Sequence, residues 1–276
     1  MNPLTHAFIA LSLFKDEKLT KDEKDHLLLG CIIPDLHLSE LITYKETHYR
    51  ALEFFKSTTN RLHQFLALGM VLHGEEPKGV DYYAHGKEGI IEQNQEEINK
   101  IALKYKSCIG NFNAMTAHFL IEFSCDSIIS QRDKSILPQF LSALDNPKLD
   151  QAITEFSNFF GLEKKKKEKI IRLFHNRFLK KFFENLSSIE TTPKSWTNVT
   201  FVMNPKNENT RLSFREKLTI FTKFSYLNLQ RKIHHIKIAQ LFEEINAQME
   251  QPALEFIYQT IEKLKPLKND LQRNLC

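Results

Sequence analysis

The 276-residue sequence has only four cysteines, and all eight of its glycines lie in the first 161 residues. The cysteines show no Cys-x-x-Cys spacing, which argues against a zinc ribbon and against a disulfide framework. No run approaches the roughly 18 to 20 apolar residues that are needed to cross a bilayer. The apolar run 7–14 has no basic residue before it and charged residues after it, so we predict no secretion signal and a cytoplasmic protein.

Several catalytic signatures are also missing. The sequence contains no His-Asp dipeptide, no Gly-x-x-x-x-Gly-Lys-Ser/Thr loop and no Gly-x-Ser-x-Gly elbow. These absences argue against a phosphate-cradling loop and against a nucleophilic serine. The formal charge of +4 is small beside 38 basic and 34 acidic residues, so we predict no specific nucleic-acid partner.

The distribution of glycine divides the chain into two regions. After Gly161 the sequence has no glycine and is rich in Lys, Phe, Leu and Glu. Glycine marks tight backbone paths, whereas lysine-rich amphipathic sequence marks exposed helices. We therefore predict a site-bearing helical region over 1–161 and a helical scaffold over 162–276, packed with the first as one unit. The length allows one domain or two.

Apolar residues recur at three- and four-residue spacing along nearly the whole chain. Sustained alternation and Asn-Gly or Asp-Gly hairpin turns are absent, so the pattern predicts an all-α fold. The polar segment 187–209 is interpreted as a lid or a plain connection. The predicted helices span about 3–14, 21–32, 47–58, 60–74, 86–105, 112–131, 134–144, 148–160, 163–188, 212–246 and 251–269.

Eight of the eleven histidines precede residue 120, and several have a carboxylate at a useful offset. The clearest metal-binding motif is His118-x-x-x-Glu122, because residues four apart share one helix face and could bind one metal ion together. Asp126 extends this face by another turn. A helix-surface ion pair would have the same spacing, so the motif alone leaves both interpretations open.

Two further motifs place polar side chains at the ends of apolar helices. Asp35 follows Pro34 directly, where it could bind a metal or cap the next helix. His73 ends an apolar helix, which would not normally bury an imidazole without a partner, although a core histidine with one hydrogen bond is the alternative. Asp81 and His85 follow, and the glycines beside both histidines would let the backbone approach a bound ion.

Two Thr-His pairs also begin predicted helices. Thr5-His6 opens the first helix, and Thr47-His48 opens a later one. A single histidine near a helix start is usually incidental. Because both pairs lie in the region that carries the other motifs, they favour one shared site.

Taken in chain order, these residues resemble the zinc-dependent phospholipase C family, whose fold is shared with the S1/P1 nucleases. The matching residues are His6, Asp35, His48, His73, Asp81, His85, His118 and Glu122. The most specific parts are Gly-x-x-x-Pro-Asp and His-x-x-x-Glu, and the resemblance covers roughly the first 130 residues. It implies a multi-helical bundle of that type, here with a helical C-terminal extension.

The resemblance also implies how the ligands are shared among zinc ions. One ion would be held by Asp35, His48 and His73, a second by His85, His118 and Glu122, and a third by His6, with Asp81 bridging. We expect one to three zinc ions. Imidazole and carboxylate ligands also suit iron or manganese, so these metals stay open.

Two features depart from the family. Family members carry the His/Asp pair four residues apart on a helix, whereas Asp81 follows His73 by eight residues, and Glu75 or Glu76 is the alternative bridge. Secreted members use the amine of the mature first residue as a ligand. Here that ligand would be the amine of Met1, and an N-terminal extension should impair it.

The expected function is a metal-dependent hydrolase that acts on a phosphoric ester, with a lipid or small-molecule phosphodiester as substrate. Asp35 is the candidate catalytic residue, which would orient or deprotonate the attacking water. Tyr82, Tyr83 or Lys87 would steady the substrate or leaving group. A metallohydrolase of another ester or thioester is the alternative enzyme.

The alternative from another class is a non-catalytic interaction protein. Residues 163–188 combine the run Lys164–Lys167 with phenylalanines at helical spacing, which could contact an anionic membrane surface. The same pattern also arises when phenylalanines are core and lysines form a solvated face.

Overall fold

The computed structural model describes residues 3–109, 114–187, 191 and 214–275. Within these ranges it contains helices and no strands, so the predicted all-α fold class is confirmed. No helix of the described part of the chain is both long and apolar enough to span a bilayer. The predicted Met1 ligand and, apart from positions 187 and 191, the predicted connection 187–209 lie outside the described residues.

The helices are numbered in chain order. They are α1 (Pro3–Leu13), α2 (Lys21–Gly30), α3 (Tyr44–Tyr49), α4 (Ala51–Ser57), α5 (Arg61–His73), α6 (Val80–His85), α7 (Ile90–Lys104), α8 (Lys106–Ile109), α9 (Ala114–Arg132), α10 (Ile136–Ala143), α11 (Leu149–Phe159), α12 (Lys164–Phe174), α13 (Arg177–Glu184) and α14 (Phe214–Gln272). Two 3-10 helices span Ile33–Ser39 and Asn185–Ser187.

Helices α2 and α5 pack with their backbones in contact. A Cβ atom on Gly30 would lie 2.1 Å from the carbonyl oxygen of Leu66, and one on Gly69 would lie 2.2 Å from that of Leu27. Side chains at these two positions would force the helices apart. The close approach brings the end of α5, which carries His73, against the end of α2.

Helix α3 begins earlier than predicted. Thr43 and Glu46 form a capping box, in which each side chain accepts a hydrogen bond from the backbone amide of the other. The helix therefore starts at Tyr44, and the prediction that Thr47-His48 opens it was wrong. His48 lies in the last turn of α3 instead.

Helix α6 was not predicted, because six residues are too few to show a helical period. Gly79 and Gly86, both with extended backbone, flank it on either side. As a result Asp81 and His85 lie one helical turn apart on the same element, which the predicted loop did not provide.

Helix α14 joins two segments that were predicted as separate helices. Pro252 lies inside it and removes one backbone hydrogen bond, yet the helix continues. Met249, Ala253 and Ile257 are fully buried on both sides of the proline. Burial of this continuous apolar face keeps the chain helical through Pro252.

The helices after Gly161 pack onto the earlier ones. Helix α14 contacts α1, α7 and α9, and Leu241, Phe242 and Ile245 on it are buried. Phe174, at the end of α12, is fully buried as well. These described side chains therefore belong to the core that they share with the earlier helices.

The predicted helix 163–188 is two helices, α12 and α13, which are separated at residues 175–176. Phe182 and Phe183 are buried, and the Phe183 ring lies 4.7 Å from that of Phe140. Lys164, Lys165 and Lys166 are exposed. These placements match the interpretation in which the phenylalanines are core and the lysines are solvated.

Two buried histidines on α2 and α5 should make stability fall in acid. His26 is fully buried, its Nδ1 donates to the carbonyl of Asp22 at 2.7 Å, and burial lowers the pKa of both His26 and His63. The unfolded chain then binds the proton more readily, so stability present above pH 6.5 is lost as the pH falls below it. We expect His26 to lower the free energy of unfolding as the pH falls from 7.5 to 5.5.

Urea unfolding at the two pH values would measure this loss. His26→Asn keeps a donor for the Asp22 carbonyl but does not titrate, so its stability relative to the wild type should be greater at pH 5.5 than at pH 7.5. Equal changes in both proteins would contradict the assignment.

Candidate metal centre

Four helices bring three histidines and one carboxylate together. Asp81 Oδ1 lies 3.0 Å from His6 Nε2, while Asp81 Oδ2 lies 3.3 Å from His48 Nε2 and 3.2 Å from His73 Nε2. The residues come from α1, α3, α5 and α6, and none is more than 5% exposed. We call His6, His48, His73 and Asp81 the first cluster.

Backbone carbonyls orient two of these rings. His73 Nδ1 donates to the carbonyl of Cys31 at 2.7 Å, and His48 Nδ1 lies 3.2 Å from the carbonyl of Tyr44 and 2.9 Å from the Thr47 hydroxyl. A carbonyl can only accept, so the hydrogen resides on Nδ1 and the Nε2 atoms face Asp81. This is the arrangement usually found in histidines that bind a metal through Nε2.

Three buried polar atoms at the first cluster have no hydrogen-bond partner among the described residues. They are His48 Nε2, His73 Nε2 and Asp35 Oδ2, the last in the 3-10 helix Ile33–Ser39. The two nitrogens lie close to Asp81 but outside the geometry of a hydrogen bond. A buried atom left in this state costs about 1 to 3 kcal/mol, and a bound cation is a partner that such atoms could take. The ligand atoms of His6, His73 and Asp81 all lie within 4.8 Å of one another, so this donor set fits a metal ion.

The pKa shifts of the first cluster also fit a bound cation. Burial lowers the pKa of His48, whereas the negative charge of Asp81 outweighs burial at His73 and raises its pKa to about 9. Burial alone would raise the pKa of Asp81, but the adjacent histidines hold it well below its ordinary range. Asp35 adds negative charge beside His48 and His73. A divalent cation could take the place of the proton on His73.

A second cluster adjoins the first. His118 Nε2 lies 3.0 Å from Glu122 Oε1, and His85 Nε2 lies 3.6 Å from the same oxygen. The side chains of His85 and His118 are 28% and 27% exposed, whereas that of Glu122 is 2% exposed. Burial would raise the pKa of Glu122, but the hydrogen bond with His118 and the contact with His85 help to hold it well below its usual range. We call these three residues the second cluster.

Helix α6 connects the two clusters. Asp81 belongs to the first cluster and His85, one turn later, to the second. The carboxylate of Glu75, named above as an alternative bridge, lies instead beside the second cluster, 3.8 Å from His85 Nδ1, and accepts the hydroxyl of Tyr44 at 2.9 Å. Glu76 is exposed. Seven of the eight predicted residues thus fall into two adjoining clusters, and Asp35 lies beside the first.

Two aromatic residues near the first cluster were not predicted. The Tyr44 ring stacks on that of His48, with centroids 3.8 Å apart, and the His37 ring lies edge-on to both. Tyr44 precedes His48 by four residues, which would place them on one helix face. The signal was missed because the helix was predicted to begin at residue 47.

Asp126 does not extend the ligand face of α9 as the spacing indicated. Its Oδ1 accepts the amide and the hydroxyl of Thr5, each at 2.8 Å, and its Oδ2 accepts the amide of Leu4 at 3.3 Å. Burial raises the pKa of Asp126 to about 7. Both of its oxygens are therefore engaged with the first turn of α1.

The rings of Tyr82 and Tyr83, which were proposed to steady a substrate, contact each other edge-on with centroids 5.3 Å apart, and Lys87 is exposed. Tyr82 is 39% exposed and lines a cleft of about 600 Å³, together with Tyr49, Leu52 and Glu75. Tyr83 is only partly buried and faces Lys263, whose Nζ lies 5.0 Å from its ring centroid. Glu75 joins the cleft to the second cluster, so a molecule in the cleft would lie next to His85.

The arrangement can hold cations at two adjoining positions with a cleft beside them. The residues in it come from five helices and one 3-10 helix. Comparisons of the chain with protein-family models, with curated proteins and with solved structures found no significant match.

Proposed function

We propose that this chain is a metal-dependent hydrolase of phosphoric esters, with zinc as its metal and with a fold like that of the zinc-dependent phospholipase C family. The observation that carries the proposal is the convergence of the predicted ligands. His6, His48 and His73, which come from three different helices, approach the carboxylate of Asp81 to between 3.0 and 3.3 Å.

In this proposal the first cluster holds zinc at the first turn of α6, with Asp35 beside it, and the second cluster holds zinc at the last turn of α6. The buried unpartnered atoms of His48 and His73 support the first assignment. The second cluster is supported by its ligand atoms, which all lie within 4.8 Å of one another. Its greater exposure makes it the side from which a substrate would enter.

Zinc bound there would make a water molecule acidic enough to attack near neutral pH and would draw charge from a phosphoryl oxygen. Asp35 would accept the proton of the attacking water, because its Oδ2 is buried and unused by the described residues. The Nδ1 bonds of His48 and His73 keep these rings from rotating. The burial of the first cluster excludes other water molecules.

The cleft would bind the part of the ester that does not react. Its walls include the half-exposed rings of Tyr49 and Tyr82 and the apolar side chains of Leu52 and Pro77. Charged residues complete the lining, namely Glu53, Lys56, Glu75, Glu76 and Lys78. The rings and apolar side chains suit an apolar group such as a lipid chain or an aryl ring. Lys78 lies over the Tyr82 ring, at 4.8 Å, and could contact a phosphate at the rim.

Elemental analysis of tag-free protein purified with zinc would test the metal, and hydrolysis of bis(p-nitrophenyl) phosphate would test the reaction. We expect about two to three zinc ions per chain and a hydrolysis rate that is lost with a chelator and restored by zinc. Hydrolysis of p-nitrophenyl acetate alone would favour the carboxylic ester alternative.

A pair of histidine variants supplies the control. His85→Ala should lower both zinc content and phosphodiester hydrolysis, because it removes a ligand of the second cluster. His175 is half-exposed and pairs with Asp150 away from both clusters, so His175→Ala should change neither. Folded wild-type protein without zinc would contradict the proposed function.

A further inference from the structure

The first turn of α1 is held by a carboxylate from another helix. Asp126 on α9 accepts the backbone amides of Leu4 and Thr5 and the hydroxyl of Thr5. All three residues are buried, with at most 1% exposure. The first amides of a helix have no partner within it, so an acceptor outside the helix fixes both its position and its rotation.

The residue that follows Thr5 is His6, whose placement depends on that rotation. His6 Nε2 lies 3.0 Å from Asp81 Oδ1, and its ring stacks on that of His73 with centroids 3.9 Å apart. The backbone amide of Thr5 is hydrogen-bonded to Asp126, which holds the first turn of α1 in place. A shift of that turn would carry His6 away from Asp81. The hydroxyl bond of Thr5 limits the same movement.

Two successive turns of α9 thus contribute to the two clusters in different ways. Glu122 belongs to the second cluster, and Asp126, four residues later, anchors the helix that carries a ligand of the first. We propose that Asp126 is a positioning residue, which sets the place of His6 and thereby the metal affinity of the first cluster. The inference rests on the proposed function, since it assumes that the first cluster binds zinc.

The experiment measures zinc affinity by competition with a chromophoric chelator. Asp126→Asn keeps the size of the side chain, but its amide nitrogen would face the amide of Leu4, donor against donor. We expect this variant to bind the His6-dependent zinc about 10- to 100-fold more weakly than the wild type. His6→Ala identifies which zinc depends on His6.

A double-mutant cycle separates positioning from a general loss of structure. If Asp126 acts through His6, adding Asp126→Asn to His6→Ala should change zinc affinity no further. If Asp126→Asn lowered zinc affinity equally in the wild type and in His6→Ala, the inference would be overturned, because Asp126 would then act independently of His6.

Ser127→Ala is the matched control. Ser127 is the next residue of α9, is buried, and accepts a hydrogen bond from Asn246 of α14 at 3.0 Å. Its replacement removes a buried hydrogen bond of the same helix without touching α1. It should lower stability but leave zinc affinity unchanged, and a loss of affinity like that of Asp126→Asn would overturn the inference.

Thr5→Val provides a milder variant if Asp126→Asn does not fold. Valine keeps the shape of threonine and removes only the hydroxyl bond to Asp126, so we expect roughly a threefold to tenfold loss of affinity. Wild-type affinity in both variants would overturn the inference and leave the proposed function intact. Absence of zinc from the wild type would overturn both.

Discussion

Replacing Asp81 with asparagine is expected to abolish zinc binding at the first cluster. Its two oxygens face the three histidines of the cluster at 3.0 to 3.3 Å, so one substitution removes the negative charge that all three share. The Asp81→Asn side chain has nearly the same shape, which isolates the effect of charge. We expect zinc affinity to fall by more than about 100-fold.

The loss should also be visible in thermal unfolding. Zinc that binds only the folded chain raises its melting temperature, so the wild type should gain stability with added zinc. Asp81→Asn should keep only the part of this gain that comes from the second cluster. Calorimetry with and without zinc gives the comparison.

Glu76→Gln is the control for Asp81→Asn. It makes the same change of charge in the same segment of the chain, but Glu76 is exposed and belongs to neither cluster. Its zinc affinity should equal that of the wild type. If both variants lose affinity alike, the effect is one of net charge and the first cluster is not the site.

Asp35→Asn is expected to separate catalysis from metal binding. Asp35 has a buried oxygen that no described residue uses, and in the proposed reaction that oxygen accepts a proton from water. An amide oxygen can still approach a cation but is a far weaker base. We expect kcat/KM for the phosphodiester to fall about 10²- to 10⁴-fold while the zinc content is retained.

Zinc content measured together with the rate distinguishes a base from a simple ligand. Loss of the base should lower the rate of Asp35→Asn while its zinc stays bound. Asp150→Asn, which changes a surface carboxylate paired with His175, should leave both the rate and the zinc content unchanged. Loss of zinc together with activity in Asp35→Asn would make Asp35 a ligand and not the base.

Part of the site could be predicted from the sequence because it is local. His118 and Glu122 are four residues apart, and a helix places such residues on one face whatever surrounds it. The all-α class followed for the same reason, since the three- and four-residue spacing of apolar side chains is a property of each segment. The order of the ligands along the chain could also be recognised, although order alone gives no distances between them.

Other parts of the site could not be predicted from the sequence. The predicted helix start at Thr47 hid the stacking of Tyr44 on His48, and α6 was too short to show a period. Asp126 lies on the predicted ligand face of α9, yet its carboxylate is turned to α1. Spacing along a helix gives the face on which a residue lies but not the element that packs there.

The sequence by itself determined the all-α class and the side chains able to bind a metal, because these follow from local spacing and chemistry. Only the tertiary structure decided that Asp81 is shared by three histidines, that Glu75 lies with His85, and that Asp126 anchors α1. The backbone contact of α2 with α5 illustrates the reason. Two glycines far apart in sequence allow it, and their meeting is set by the packing of the whole bundle.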